Sequence, residues 1–332
     1  MKRQVVCLFL FLARISPVVA GPLDLLKRLT GVKTSGADSW EPVKRILGGS
    51  AVEQGDMVKI SFPRTDLNVL VDGIPLETGF ALTTWFAFKP NGKETLVVGD
   101  LVLLDQETQK TLAQLQLHGL EVTAVIDPLL NESPSVKEVY FTGKGSRMDL
   151  AQALKWILRM NGMPETVAPR PTDFPNLKTP ADAKASAGGS GDKSTLSGRS
   201  PQAASDWSAV EAILGKGESE GKLYQFTFPR AKAVEEEGSE IPPFMGAATN
   251  FHFQKNGKKV AVTGAFALTN AEVNPVVKVL VKNHISVTGI QNHLLKEDPR
   301  LFFAHIWAVG EAGEVATGLK AALDKVDLAP NQ

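Results

Sequence analysis

The chain lacks several of the groups that mark common enzyme classes. It has 332 residues but one cysteine, Cys7, so beyond that position it forms no disulfide, thiolate metal site or thiol nucleophile. Lysine plus arginine and aspartate plus glutamate each total 36, and this balance indicates neither a nucleic-acid partner nor an acidic tail. No apolar run approaches the ~20 residues of a membrane-spanning helix. With 43% hydrophobic and 22% charged residues, the composition is that of a globular protein of about two domains.

The first 20 residues have the pattern of a secretory signal peptide. Lys2 and Arg3 precede an apolar run from Val5 to Ala13, and the small residues up to Ala20 supply a cleavage point. The run is too short to span ~30 Å of hydrocarbon, which disfavours the alternative of an uncleaved anchor. The sequence therefore predicts cleavage after Ala20 and a secreted or periplasmic protein with no transmembrane span in its mature form.

The remaining chain contains two copies of one unit, offset by about 165 residues. Matching segments are Trp40 with Trp207, Ile46-Leu47-Gly48 with Ile213-Leu214-Gly215, Phe62-Pro63-Arg64 with Phe228-Pro229-Arg230, Asn91-Gly92-Lys93 with Asn256-Gly257-Lys258, and Leu129-Leu130 with Leu294-Leu295. We predict a first repeat domain at 38–160 and a second at 205–326. Between them, residues 161–204 are rich in Pro, Ala, Gly and Ser, which predicts a linker.

The hydrophobic pattern of each copy is that of strands followed by a strand–helix–strand–strand–helix series. In the first copy, strands are expected around 58–62, 67–71, 85–88, 95–103, 121–126 and 136–142. Helices over 148–158 and 314–326 close the two units, and Asp105 and Thr269 are expected to cap the preceding helix of each copy. The prediction is an α+β fold of two tandem homologous domains, each a mixed or antiparallel sheet with packed helices.

The copies differ most in histidine. Four of the 5 histidines lie in the second copy, where His293 replaces Pro128 and His305 replaces Tyr140. The first copy therefore appears as a degenerate scaffold, and any chemistry is expected in the second. A turn at Asp298-Pro299 is expected to set His293 or its neighbour Gln291 opposite His305, because cross-strand Cβ atoms lie ~5 Å apart.

These positions define a candidate site in the second copy. His293, His305 and Glu297 are the predicted ligands of a divalent metal such as zinc, since imidazole and carboxylate are zinc ligands. Arg300, Gln291 and Trp307 are the predicted substrate-binding residues. The alternative is that His305 is a core histidine satisfied by one hydrogen bond and that His293 is a surface residue near a turn.

Longer motifs in both copies match a known bacterial domain. They are Phe62-Pro63-Arg64-Thr65-Asp66-Leu67, Gly99-Asp100-Leu101-Val102-Leu103, the segment 268–275, and Asn292-His293-Leu294-Leu295 with Pro299-Arg300-Leu301-Phe302-Phe303 and His305. They resemble the LppY/LpqO family, a duplicated domain of unknown function named from mycobacterial envelope lipoproteins. The resemblance covers about 38–160 and 205–325 and implies an exported protein with no assigned activity. Family members carry His-x-His before the Leu/Met-Leu pair, whereas here Gln291 stands in place of the first histidine.

Two functions from different classes follow. One is an exported binding or envelope-associated module, whose partner is a small molecule or an envelope component and not nucleic acid. The other is a metal-dependent hydrolase-like site in the second repeat. We favour the binding module, because no motif of a known catalytic class is present. The sequence does not establish that the protein is an enzyme, and it names neither a ligand nor an oligomeric state.

Overall fold

The computed structural model describes residues 39–164, 207–220 and 222–330. The predicted signal peptide lies outside these residues, as does the predicted linker apart from residues 161–164. Both repeats belong to one compact unit within residues 41–332. In the described ranges, no helix is both long and apolar enough to cross a membrane.

The first repeat contains four helices and nine strands in the described residues. In chain order they are α1 (Glu41–Leu47), β1 (Ser50–Gln54), β2 (Met57–Pro63), β3 (Leu70–Val71), β4 (Ile74–Pro75), α2 (Thr78–Ala81), β5 (Thr83–Asn91), β6 (Glu94–Leu104), α3 (Asp105–Leu117), β7 (Glu121–Ile126), β8 (Glu132–Ser133), β9 (Val136–Gly145) and α4 (Arg147–Met160).

The second repeat has the same order, with a short 3-10 helix (Pro243–Met245) in the place of α2. Its elements are α5 (Ser208–Leu214), β10 (Glu218–Glu220), β11 (Leu223–Pro229), β12 (Glu235–Glu236), β13 (Ser239–Glu240), β14 (Ala248–Asn256), β15 (Lys259–Leu268), α6 (Asn270–Lys282), β16 (Ser286–Gln291), β17 (Glu297–Asp298), β18 (Phe302–Gly310) and α7 (Ala312–Leu323).

Each repeat forms a six-stranded sheet with one strand order, β1-β2-β5-β6-β9-β7 in the first and β10-β11-β14-β15-β18-β16 in the second. Each also forms a three-stranded sheet of very short strands, β4-β3-β8 and β13-β12-β17. All of the strand pairs are antiparallel. The predicted α+β fold of two repeated units is therefore confirmed, in its antiparallel rather than its mixed form.

The elements β1, β4, α2 and β8 were not predicted, and two of the predicted features differ from the observed ones. The strand expected at 67–71 is reduced to Leu70–Val71, because it pairs only with the short β4 and β8. Asp105 is the first helical residue of α3 and does not cap it; instead Glu107 accepts a hydrogen bond from the Leu104 amide at 2.8 Å. In the second repeat Thr269 is the N-cap as predicted, and Glu272 closes a capping box with it.

One face of each large sheet packs on the helices of its own repeat. In β2 and β5, alternate residues such as Phe62 and Phe86 are buried on this face, with ring centroids 5.4 Å apart. In the second repeat, the Phe251 and Phe266 rings pack against each other in the same layer, with centroids 4.9 Å apart and planes tilted by 59°. The period of two leaves the intervening side chains on the opposite face of the sheet.

That opposite face is covered by the other repeat. One apolar cluster joins Ala87, Leu96 and Val98 of the first sheet to residues of the second repeat, including Met245 and Phe303. Another cluster joins residues of the first repeat's small sheet and α2 to the second large sheet, with the Phe80 and Trp307 rings 6.1 Å apart. The two repeats are therefore packed sheet face to sheet face.

The contacts between the repeats are reciprocal. The Thr123 hydroxyl donates to the His293 carbonyl at 2.6 Å, and its counterpart Thr288 donates to the carbonyl of Pro128 at 2.8 Å. Pro128 and His293 are themselves equivalent positions of the two copies. Such an exchange of matching contacts is the pattern of a two-fold dimer interface, here formed inside one chain.

Candidate functional site

Two of the predicted metal ligands meet between the repeats. His305 lies on the β18 face turned toward the first repeat, and His293 lies two residues beyond the end of β16. Their Nε2 atoms are 2.9 Å apart, and the residues are 8% (His293) and 6% (His305) exposed. We call these two side chains the histidine pair.

The ring of His293 is inserted between aromatic side chains from both repeats. The Phe303 ring of the second repeat lies 3.8 Å from it on one side at an interplanar angle of 4°. The Tyr140 ring of the first repeat lies 3.8 Å from it on the other side, at 17°. This stacking, together with the Thr123 hydrogen bond to the His293 backbone, fixes the direction in which Nε2 points.

The histidine pair is in the neutral form that ligates metals. Burial lowers the pKa of His305 to about 4. Burial, with a smaller contribution from His305, lowers the pKa of His293 well below its usual value. Near neutral pH one imidazole can donate Nε2–H to the Nε2 of the other, or both nitrogens can face a cation.

The route by which the pair forms differs from the expected hairpin. A bulge between Val287 and Gly289 shifts the register, so that Gly289, rather than Gln291 or His293, lies opposite His305. His293 reaches His305 only because the chain turns back after β16. The bulge adds one residue to one strand, and nothing in the alternation of the sequence marks it.

Glu297 lies in a different environment from the one predicted. Its carboxylate accepts hydrogen bonds from the Leu301 amide at 3.0 Å and from Arg300 at 3.3 Å. Its strand, β17, pairs with β12 in the small sheet. Within the described residues, no three His, Cys, Asp or Glu side chains are grouped so as to hold a metal ion. The Glu297 carboxylate is therefore bonded to groups of its own loop.

The predicted substrate-binding residues are separated by the fold. Arg300 is held by Glu297 and by the Leu295 carbonyl, and its side chain is half exposed. Trp307 is buried against Phe80. Gln291 lies on the same sheet face as His305: its amide lies over Gly289, where a Cβ would meet Oε1 at 2.7 Å, and Gly289 is the strand partner of His305. The buried Nε2 of Gln291 has no hydrogen-bond partner among the described residues.

The first repeat contributes polar groups that the sequence analysis missed. Tyr140 donates its hydroxyl to Glu138 at 2.8 Å, and Asp100 is the strand partner of Tyr140 on β6. Asp100 is 4% exposed, and its Oδ1 has no hydrogen-bond partner in the described part of the chain. The sequence does carry a signal for this face of β9. Its polar residues stand at 138, 140 and 142 and alternate with the apolar Val139 and Phe141, so the polar side chains share one face of the strand.

Burial dominates the protonation of these acids. It raises the pKa of Glu138 to about 7, against the hydrogen bond from Tyr140. Burial, and next the charge of Glu138, raise the pKa of Asp100 well above its usual value, opposed by Lys59 and by the Trp85 indole. Lys59 lies 3.9 Å from the centre of the Trp85 ring. Asp100, which is buried, and Glu138, which is half-buried, therefore form an acid pair on one face of the β6–β9 strand pair.

Comparison with protein families assigns the chain to a family. A family model described as "Domain of Unknown Function (DUF1259)" matches residues 41–160 and 208–325, which are more than half of the chain. The chain belongs to this family, in which it carries the domain twice. No curated protein matches the chain. Among solved structures, it is similar to a trimeric bacterial microcompartment shell protein, PduB, at 12% identity over 84% of this chain and 90% of that one, with a TM-score of 0.19, which is too low to bear on function.

Proposed function

We propose that this member of the DUF1259 family is an exported binding module that holds a transition-metal cation between its two repeats. The main observation behind this proposal is that the Nε2 atoms of His293 and His305 lie 2.9 Å apart in a buried, neutral pair. Two nitrogens at that separation can both lie at the ~2.0–2.1 Å of a Zn–N bond from one point. The resemblance to the LppY/LpqO family and the predicted signal peptide support an envelope or secreted location.

Gln291 supplies the third protein ligand in this proposal. Its amide is the remaining polar group over Gly289, and an amide can present its oxygen as well as its nitrogen. Imidazole ligands favour late first-row cations such as Zn²⁺, Cu²⁺ and Ni²⁺, whereas Mg²⁺ and Ca²⁺ require oxygen ligands. We therefore expect zinc to bind and magnesium to leave the protein unchanged.

Binding is favoured over the alternative of metal-dependent hydrolysis. The histidine pair faces the opposite repeat and is almost fully covered, so a bulky substrate has no approach to it. A cavity of about 390 Å³ does exist in the second repeat, but it lies on the helix side of the sheet, lined by residues that include Phe228 and Leu323. An almost fully covered site of this kind can hold an ion but not a bulky substrate.

Metal titration of tag-free mature protein tests the proposal. Zinc added to chelator-treated protein should bind at one equivalent, and at 100 times the Kd it should stabilise the fold by about 2.7 kcal/mol. His305→Ala should abolish binding, while His252→Ala, a histidine of the same sheet outside the pair, should retain it. If the parent binds no zinc and His305→Ala only lowers stability by about 1–3 kcal/mol, the pair is a structural hydrogen bond and the proposal is wrong.

A further inference from the structure

The two repeats differ in a cleft between their first and last helices, on the helix side of each large sheet. In the second repeat this cleft has a volume of about 390 Å³ and is lined mainly by apolar residues of α5, β11, α7 and the segment after α7. In the first repeat the matching cleft measures only about 10 Å³. The shared apolar lining residues are Leu47, Phe62 and Leu158 in the first repeat and Leu214, Phe228 and Leu323 in the second. A space within the ~300–1,000 Å³ of small-molecule sites is therefore open in one copy and closed in the other.

The first repeat fills this cleft with two of its own side chains. Met163, which follows α4, lines the cleft and is 5% exposed, and its amide donates to the Leu158 carbonyl at 3.1 Å. The Lys155 ammonium donates at 3.1 Å to the carbonyl of Leu47, the last residue of α1. An unbranched apolar side chain and an ammonium group therefore occupy the position that is open in the second repeat.

The chain that follows the last helix takes a different path in the second repeat. It pairs with the end of β11, where the Ala329 amide donates to the Pro229 carbonyl at 2.9 Å. In this arrangement Phe228 is only half-buried, whereas its counterpart Phe62 is 1% exposed. The second cleft therefore keeps an apolar wall that the protein itself covers incompletely.

The ammonium group of the second cleft also has a different partner. Lys320, the counterpart of Lys155, forms an ion pair with Asp324, which stands in the place of Arg159. Among the described residues, no side chain donates to the carbonyl of Leu214, the last residue of α5. The carbonyl that binds an ammonium in the first repeat is therefore open to an external donor in the second.

The lining of the second cleft carries a net negative charge. Its ionisable side chains are those of Lys320, Asp324 and Asp327, whereas the nearby Lys216 and Lys325 are not in the lining. Lys320 and Asp324 offset each other, and Asp327 has no ion pair within the described part of the chain. A cation in the cleft would therefore face both a helix-terminal carbonyl and an unpaired carboxylate, and each of them favours positive charge.

We propose that the cleft of the second repeat binds a small aliphatic amine, which is an unbranched apolar chain that ends in an ammonium group. The chain packs on Phe228 and Leu323, in the position that Met163 has in the first repeat. The ammonium donates to the Leu214 carbonyl and is attracted by Asp327. This site lies on the opposite side of the sheet from the histidine pair and does not depend on a metal.

Calorimetric titration of the full mature chain, in the presence of a chelator, tests this proposal with n-octylammonium as the probe. n-Octanoate has the same chain and the opposite charge, so it should bind at least about tenfold more weakly. n-Butylammonium keeps the charge but has half the chain, and it should also bind at least about tenfold more weakly because it buries less apolar surface. The proposal is overturned if octylammonium does not bind, or if either of the other two compounds binds as tightly.

Three variants test whether the amine binds in this cleft. Asp324→Arg restores the residue of the first repeat and frees Lys320 to donate to the Leu214 carbonyl, so octylammonium should bind at least about tenfold more weakly. Asp327→Asn removes the unpaired carboxylate and should weaken binding about threefold. Glu314→Gln makes the same change of charge near the start of α7, outside the lining, and should match the parent. The proposal is wrong if Glu314→Gln weakens binding as much as Asp327→Asn does, or if neither cleft variant weakens it.

Discussion

At the scale of single residues, the repeated Phe-Pro-Arg motif is explained by a buried arginine. Arg64 is 0% exposed; it donates to the Val102 carbonyl at 2.6 Å and to Glu107 at 3.0 Å. Its counterpart Arg230 donates in the same way to Ala267 and Glu272. In each repeat the arginine therefore ties the end of the large sheet to the first turn of the following helix.

Removing this arginine should leave the buried Glu107 carboxylate without its cation and with only the Leu104 amide as a donor. We expect Arg64→Met to lower the free energy of unfolding by about 3–5 kcal/mol, and the double variant with Glu107→Leu to recover much of the loss. Lys232→Met, which breaks an exposed ion pair with Asp298, should change it by about 0–1 kcal/mol. Urea unfolding measures all three. Equal effects of Arg64→Met and Lys232→Met would contradict the anchoring role.

The buried acids and histidines should oppose each other in the pH dependence of stability. A histidine whose folded pKa is about 4, such as His305, binds fewer protons folded than unfolded, so stability rises between about pH 4 and 6.5. Glu138, with a folded pKa of about 7, holds its proton longer when folded, so its contribution falls as the pH rises from 4.5 to 7. In metal-free buffer, Glu138→Gln should therefore show a steeper rise of stability between about pH 4.5 and 6.5 than the parent. A shallower rise in urea titrations would show that this sign is wrong.

Single residues were predictable from the sequence where the two copies differ. The substitution of histidines for Pro128 and Tyr140 led directly to the histidine pair. Glu138 and Asp100 were not predicted. Alternation along a strand shows which face of the sheet a side chain is on, but it does not show what packs on that face. The hydrogen bonds of Glu297 to Arg300 and the Leu301 amide were not predictable, because a turn of that composition has many conformations and its partners are fixed by the small sheet.

At the scale of elements, alternation and helical periodicity located the strands and helices of both copies to within a few residues. The β16 bulge was not predictable, since one extra residue leaves the hydrophobic pattern of a short edge strand almost unchanged. Yet the bulge determines which residue faces His305. Gly289 takes that position, and the absence of a side chain there makes room for the Gln291 amide.

Gly289→Ala should disturb the site without disturbing the fold. The nearest atoms to the new Cβ would be those at the flexible end of Gln291, so we expect less than about 1 kcal/mol change in unfolding free energy. The displaced amide should weaken zinc binding, as should Gln291→Ala. Because both act through one group, the double variant should be no weaker than Gln291→Ala alone. Additive losses in calorimetric titrations would argue that Gln291 is not the group displaced.

At the scale of the whole molecule, the duplication was visible in the sequence but its consequence was not. Composition suggested two domains joined by a linker, and it left open whether the domains lie side by side or apart. The structure instead places large apolar clusters and reciprocal Thr123 and Thr288 hydrogen bonds between the repeats. Alternation could not reveal this, because a sheet face that packs on a second sheet and one that faces water can both carry mixed residues.

The assembled repeats should hold together without their covalent connection. Limited proteolysis is expected to cut first near 188–191, within the segment that composition identifies as a linker. Because the interface buries Trp307 and Phe303 against the first repeat, the two fragments should co-elute on native size-exclusion chromatography and separate only in denaturant. Trp307→Ala removes the contact with Phe80, so the nicked variant should dissociate at a lower urea concentration than the nicked parent. Fragments that elute separately in plain buffer would show that the interface is too weak to form a shared site.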